Sequence, residues 1–540
     1  MNRTVSAGTA RTGTRFRSPP LPLLIPAAAA AALVLLPLLL TLGEAATVSP
    51  ADAAALLWRP LVGELLLDTL KLMLAVVVAC AVLGTTCAWL VERTDLPFRQ
   101  GFAVLAAVPL AIPPFITSYA WISISTALED FAGAFLVVTC AYTPLVYLPV
   151  AAALRSMDPA IEESGRVLGL SPNRCFMRLV LPQLRIPLLG GALLVALNVL
   201  VEFGAFALLR YRTFTTELYA QYRTGLAGPD SSLLAGVLIL LCLLCLALEL
   251  RVRGAAAATT AATDATAGAV GRGTRRPAAR YRLEPAARAA ALLFFAAFVL
   301  VTLLVPLATL VFWLFHHQDA ATATVSASVP ALLGALGSSL GLGLAGAGLT
   351  TVLALPLGFL SVRFPGRLAT LLDRVAFLGQ GVPGIVVALA LVTLALEVVA
   401  PLYQSAFLLV IAYAVLFLPF ALVSVRTAFA QARPALEEAA RCLGLSPFAT
   451  AVRVVLPLAA PGLGAAAALV FVAVTTELTT TLLLAPIGVR TLATEVWADT
   501  TTLAFAAAAP YACTMVLLSL GSTFVLARRF GRGLPAGLAP

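Results

Sequence analysis

The sequence predicts an all-α polytopic membrane protein with about 12 transmembrane helices, arranged as two parallel six-helix repeats. Three observations predict it. The chain is 61% hydrophobic and only 11% charged, where a soluble domain carries about 25% charged residues, and its mean hydropathy is +1.01. Apolar runs of about 20 residues, the length that crosses a bilayer, recur from end to end. A polar stretch set between such runs occurs twice. PAIEESGRVLGLSPNRCFMRLVLP (159–182) matches PALEEAARCLGLSPFATAVRVVLP (434–457) without a gap. Glu162 pairs with Glu437, Glu163 with Glu438, Gly169 with Gly444 and Pro182 with Pro457, all 275 residues apart.

Residues 1–20, with Arg3, Arg11, Arg15 and Arg17, read as a cytoplasmic tail. The run 21–43 has the basic leader of a signal peptide but span length, which predicts an uncleaved first span. Further spans are expected near 65–91, 101–124, 131–154, 186–209 and 232–250. They complete a first half over 21–250, whose repeated polar loop occupies 155–185. Residues 251–287 are rich in Ala, Thr, Gly and Arg and read as a flexible cytoplasmic linker. The second half, 288–527, repeats the count with runs near 288–315, 334–360, 372–398, 404–424, 460–485 and 507–527, and its polar loop lies at 425–459. A short basic tail, 528–540, follows.

With both termini inside, roughly 28 of the 35 basic residues fall on the cytoplasmic side, as the positive-inside rule requires. Both polar loops are then expected in the cytoplasm; abundant Ala with a single Lys suggests a bacterial source, so the chain is expected to be a multi-pass protein of the bacterial inner membrane. An even number of spans per half makes the repeats parallel. The net charge of +10 is distributed by topology, so it does not argue for nucleic acid.

Each polar loop reads as two short helices around a turn. Pro159 and Pro434 suit a first helical position, with Asp158 as N-cap of the first copy. Gly169 and Gly444 suit the helix C-cap. Ser-Pro restarts a second helix, which Pro182 or Pro457 is expected to stop. An interfacial hairpin lying on the bilayer is the bland alternative. Acidic residues in the first turn favour docking into a protein groove instead.

Few residues offer chemistry. Lys71 is the sole lysine and has no phosphate-loop context. GLGLAG (341–346) lies inside an apolar run, where Gly334, Gly337 and Gly341 are expected to let helices approach closely. Cys242 and Cys245 read as packing residues, and His316 and His317 as residues at a span end. Nothing resembles paired catalytic residues, so no enzymatic activity is expected. Glu202 and Glu477 fall within spans, at equivalent places in the two halves. Carboxylates at that depth are costly and usually face a pore or a partner. They are candidates for the translocation path, and the alternative is an interhelical pairing with Thr475 and Thr476. Pro113, Pro114 and Pro383 are expected to break helices beside them, either as a gate region or as simple kinks. An ion-driven secondary transporter using the two glutamates is the rival class, but it leaves the duplicated polar loop without a role.

Glu437-Glu438-Ala439-Ala440, then Gly444, then Val455-Leu456-Pro457, resembles the EAA motif of ABC-importer permeases with a MetI-like transmembrane domain. The first copy departs from it with Ser164-Gly165 but keeps Glu162, Glu163, Gly169 and Pro182. The resemblance implies that both loops couple to a dimer of a separate cytoplasmic ABC ATPase, which would use the ATP, with no cofactor held by this chain. It also implies a periplasmic or lipid-anchored substrate-binding protein. One chain with two such halves resembles the iron(III)-type permeases, on 201–219 and 475–497. Thiamine permeases share the fused layout, and phosphonate and polyamine systems pair related subunits.

Overall fold

The computed structural model describes residues 19–224, 228–270, 280–316 and 328–530. The outer parts of both tails, residues 271–279 of the expected linker and His317 lie outside the described residues.

Among the described residues, nine helices in each half that recur between the halves carry the architecture. In the first half they are α1 (Leu21–Ala45), α2 (Pro60–Arg93), α3 (Pro114–Ile124), α4 (Phe131–Ser156), α5 (Pro159–Val167), α6 (Leu181–Val201), α7 (Gly204–Leu208), α8 (Phe214–Arg223) and α9 (Pro229–Val270). In the second half they are α10 (Pro285–Phe315), α11 (Val329–Arg363), α12 (Gly384–Glu397), α13 (Ala406–Gln431), α14 (Pro434–Cys442), α15 (Leu456–Thr475), α16 (Thr479–Leu484), α17 (Leu492–Thr501) and α18 (Phe505–Phe530). Each helix has its counterpart nine places on. Among the described residues, 10 helices are long and apolar enough to cross a membrane, or 12 if two bent pairs count as one span each.

Those bent pairs lie where Pro113, Pro114 and Pro383 are expected to break the helices. The helix over Arg99–Ala111 turns by 92° into α3, and that over Arg367–Gly381 turns by 103° into α12. Ile112 and Val382 leave helical geometry at the same angles, φ −102° and ψ 119°. Each precedes a proline, Pro113 or Pro383, whose ring disfavours the α region for the residue before it. Prolines elsewhere, such as Pro144 and Pro356, sit inside helices that continue through them.

Three expectations are corrected. Pro182 and Pro457 do not stop a helix. A π turn (Phe176–Val180 or Ala451–Val455) runs straight into α6 or α15, and proline in the first turn of such a segment removes no needed N–H. The linker expected from 251 begins as helix instead, because α9 continues to Val270. The glycines that let helices approach are not Gly334, Gly337 and Gly341, where an added Cβ would meet nothing within 4 Å. They are Gly343 and Gly346, where it would touch Phe471 and Val474 of α15, and Gly358, where it would meet Val425 of α13 at 2.6 Å.

The two halves are interleaved. Ala27, Val34 and Leu38 of α1 are buried in a cluster with Leu357, Leu360 and Phe377 of the second half. Reciprocally, Ala291 and Phe295 of α10 are buried among Val76, Val138 and Val150 of the first half, and Phe295 stacks on Phe102 at 4.5 Å. A third cluster holds the centre, joining Phe115, Tyr119 and Phe203 to Leu478, Trp497 and Tyr511. There Tyr119 Oη donates to Phe505 O at 2.7 Å and Ser519 Oγ to Ala111 O at 2.5 Å.

Candidate functional site

Two places gather the residues singled out by sequence: a pair of lobes at one end of the bundle and a cavity between the halves.

Each lobe is a helix closed by a Schellman turn. In the first, α5 starts at Pro159 with Asp158 accepting the Ala160 N–H at 3.0 Å. Gly169 takes φ +78°, its N–H bonds Arg166 O at 2.9 Å, and Leu170 N–H bonds Gly165 O at 3.0 Å. In the second, Gly444 takes φ +87°, and Gly444 and Leu445 bond Arg441 O and Ala440 O at 3.0 and 3.1 Å. Only glycine adopts this left-handed turn at little cost. Ser446 then caps the next turn by accepting from Ala449 N–H at 3.2 Å.

The two glutamates of each lobe face opposite ways. Glu162 and Glu437 are buried, at 3% and 7% exposure, while Glu163 and Glu438 are exposed. Glu162 Oε1 lies 3.0 Å from Arg93 Nη2, off the line of a well-formed hydrogen bond. Glu437 Oε1 accepts from Arg363 Nε at 2.6 Å. Of the two glutamates, only the second in each lobe is on the surface. Leu168, Leu443 and Phe448 are exposed beside them, so each lobe presents apolar side chains next to a carboxylate, a pattern that suits insertion into a protein groove. Ala439 is exposed and Ala440 buried.

The first lobe carries a strap that sequence reasoning missed. Tyr281 bridges to Thr94, with its N–H on Arg93 O at 2.8 Å and its carbonyl accepting from Asp95 N–H at 3.1 Å. The Arg166 guanidinium lies 4.1 Å over the Tyr281 ring. Burial pushes the Tyr281 hydroxyl up to about 12, and contact with Tyr281 holds the Arg166 guanidinium above its ordinary range. Asp95 accepts from Leu283 N–H at 2.9 Å and meets Arg288 at 2.9 Å, and these hold its carboxyl below the usual range, the backbone bond foremost. The only signal in the sequence is an aromatic residue flanked by arginines just before a span.

The second place is a cavity of about 340 Å³ lined by residues of both halves, among them Pro113, Tyr142, Asn198, Glu202, Gln380 and Glu477. Pro383 does not line it, although Val382 and Gly384 beside it do. Its two glutamates hold equivalent positions. α6 ends at Val201 and Glu202 leaves the helix. Its Oε1 accepts from Ala205 N–H at 2.9 Å at the start of α7, and its Oε2 accepts from Tyr142 Oη at 2.7 Å. α15 ends at Thr475, and Glu477 Oε1 accepts from Thr480 N–H at 3.0 Å at the start of α16. Each carboxylate thus caps the short helix that follows the break. The alternative pairing of Glu477 with Thr475 and Thr476 is not found. Both hydroxyls donate to Val472 O, and Thr480 Oγ1 is the hydroxyl that meets Glu477, at 3.1 Å.

Beyond each break the repeat continues. Thr213 with Thr216 and Thr491 with Thr494 form capping boxes that open α8 and α17. Arg212–Glu217 and Arg490–Glu495 repeat at 3.7 and 3.6 Å.

Two interleaved helical halves meeting at a cavity that holds two glutamates define a fused, two-half membrane permease. Residues 81–253 and 351–532 match the family described as binding-protein-dependent transport system inner membrane component. The chain is 35% identical over 491 residues to the Fe(3+)-transport system permease protein FbpB 2 of Haemophilus influenzae, covering 91% of this chain and 95% of that one. It is 28% identical over 181 residues to the sulfate permease CysW of a Synechocystis species, 28% of this chain and 64% of that one. Over 158 residues it is 26% identical to the molybdenum permease ModB of Escherichia coli, 26% of this chain and 66% of that one. The chain belongs to the binding-protein-dependent inner-membrane permease family, with one family domain in each half.

Proposed function

We propose that the protein is the membrane permease of an iron(III) importer driven by a separate ABC ATPase and fed by a substrate-binding protein. The observation that carries the cargo is similarity along 91% of the chain, through both halves, to an iron(III) permease. The cavity chemistry agrees. Carboxylate, phenol, amide and hydroxyl oxygens of Glu202, Glu477, Tyr142, Asn198 and Thr476 line it, and oxygen donors suit a hard cation. Two carboxylates argue against the oxyanions that the sulfate and molybdenum permeases are named for.

In this reading the lobes face the cytoplasm, where the basic residues of the loops and both termini belong. A dimer of the ATPase receives one lobe per subunit, with Glu163, Leu168, Glu438, Leu443 and Phe448 in its grooves. ATP binding closes the dimer, moves the lobes and turns the cavity from one face to the other, and hydrolysis resets it. The chain itself catalyses nothing and needs no bound cofactor. Glu202 and Glu477 line the path, and the bends at Pro113 and Pro383 shape it.

Two experiments test this. Uptake of radioactive iron by cells lacking the chromosomal system, restored by the chain together with its neighbouring ATPase and binding protein, checks the cargo. Uptake of thiamine, a phosphonate or a polyamine in place of iron overturns it. Uptake driven by an ion gradient with no ATPase present overturns the class. Gly444→Asp tests the lobes. Asp tolerates the left-handed turn better than most residues, so the variant inserts normally while transport and stimulated ATPase both fall. Unchanged coupling sinks the lever role.

A further inference from the structure

Two equivalent helices, α2 and α11, are much longer than a bilayer needs. α2 has 34 residues and α11 has 35, which at 1.5 Å per residue is about 50 Å, against a hydrocarbon core of about 30 Å. Each ends on an arginine, Arg93 or Arg363, and each arginine meets the buried glutamate of its lobe. Arg363 Nη2 also donates to Ala432 O at 2.7 Å, the residue just before the lobe's first turn.

The opposite ends of the same helices are fastened too. Tyr211 Oη donates to Asp68 O of α2 at 2.8 Å, and Ser339 Oγ of α11 accepts from Leu492 N–H at 2.9 Å. Tyr211 lies in the segment leading from the Glu202 break into α8, and Leu492 opens α17, the counterpart of α8. The segment beyond the first break is tied back to the cavity residue, because Thr215 Oγ1 donates to Glu202 O at 2.6 Å. The covalent route from lobe to cavity runs instead through the π turns that precede α6 and α15. Such widened turns interrupt the regular hydrogen-bond ladder.

We propose that Arg93 and Arg363 are positioning residues that fasten the lobes to α2 and α11, making these helices the rods that carry lobe movement to the far face. The proposal rests on the reading of the lobes as the ATPase-coupling elements. Glu162 and Glu437 then serve as the internal anchor of each lobe, and Glu163 and Glu438 as its outward contacts. The first anchor has the poorer hydrogen-bond geometry, and Tyr281 supplements it by clamping Arg166 against the end of α2. The second anchor, with two donors from Arg363, has no such strap among the described residues.

The test uses the full chain with its ATPase and binding protein in proteoliposomes. Arg363→Met removes the anchor, and Arg363→Gln removes the charge while keeping hydrogen-bond donors, so that one variant inserts if the other does not. Stimulation of ATPase at saturating binding protein is expected to fall about tenfold, within the usual range of coupling between sites. ATPase stoichiometry, basal hydrolysis and the binding-protein concentration giving half-maximal effect stay at wild-type values. Arg363→Lys and the swap R363E/E437R restore much of the stimulation. Full stimulation in both Arg363→Met and Arg363→Gln overturns the rods. Loss of bound ATPase in those variants also overturns the proposal, because Arg363 would then act at the docking surface. A wild-type chain that binds no ATPase overturns the coupling reading and this proposal together, an outcome distinct from either of these.

Discussion

Gly165 and Ala440 occupy the same place in the two lobes, yet only one of them has room for a methyl group. A Cβ on Gly165 would stand 2.6 Å from Leu179 Cδ1 and 3.1 Å from Cys175 Sγ. In the second lobe the residue matching Leu179 is Val454, one carbon shorter, and Ala440 fits. The Gly165 part of the first copy's departure from Glu-Glu-Ala-Ala is thus a packing exchange on the inner side, while Ser164 stands for Ala439 on the exposed side. Gly165→Ala is expected to lower stability by about 1 kcal/mol through overpacking, and adding Leu179→Val recovers most of it. Thermal unfolding of the purified single and double variants checks the cycle, and equal losses in both would refute the exchange. A second residue sets a pH response. Burial, with repulsion from Glu495, pushes Asp499 of α17 up to about 6 from an ordinary 3.8. The fold therefore holds the proton more tightly than the unfolded chain does. Stability falls as pH rises from about 3.8 through about 6 and stays flat above. Asp499→Asn should melt higher than wild type at pH 7.5 and match it near pH 3.5, and a gap that persists in acid would refute the shift.

Among the elements, the breaks after α6 and α15 do two things at once. They end a long apolar helix, and they aim a carboxylate at the cavity while that carboxylate caps the next helix. Capping without charge is separable from transport. Glu477→Gln keeps an oxygen for Thr480 N–H and so keeps the fold, whereas Glu477→Ala loses the cap at a cost of about 1 kcal/mol. If the carboxylate lines the path, Glu477→Gln lowers iron uptake as much as Glu477→Ala does while melting like wild type. Wild-type uptake by Glu477→Gln would leave capping as its whole role.

The molecule as a whole is held by exchange of first helices. α1 is buried against the second half and α10 against the first, so each half alone would expose a face that the other covers. Packing, not the connection between the halves, should therefore hold them together. A chain cut within 271–279 and expressed as two pieces is expected to co-purify as one complex and to support uptake near the intact level. Either piece expressed alone should be degraded or aggregate. Co-purification that fails although both pieces insert would refute the interlock.

Much of this was legible in order along the chain. Hydropathy gives the spans because lipid demands apolar length, and the ungapped match of 159–182 with 434–457 gives the duplication, the lobes and their glycine turns. Those features depend on residues near one another in sequence. Four features do not, and the tertiary structure alone decided them. Which glutamate of each pair turns inward depends on Arg93 and Arg363, which stand 69 and 74 residues away in the chain. Whether Pro182 ends a helix depends on a π turn that absorbs its missing N–H. The glycines that admit a neighbour are set by Phe471, Val474 and Val425, not by spacing within α11. The exchange of α1 and α10 between halves leaves no local mark, since an apolar helix reads the same whichever core it covers.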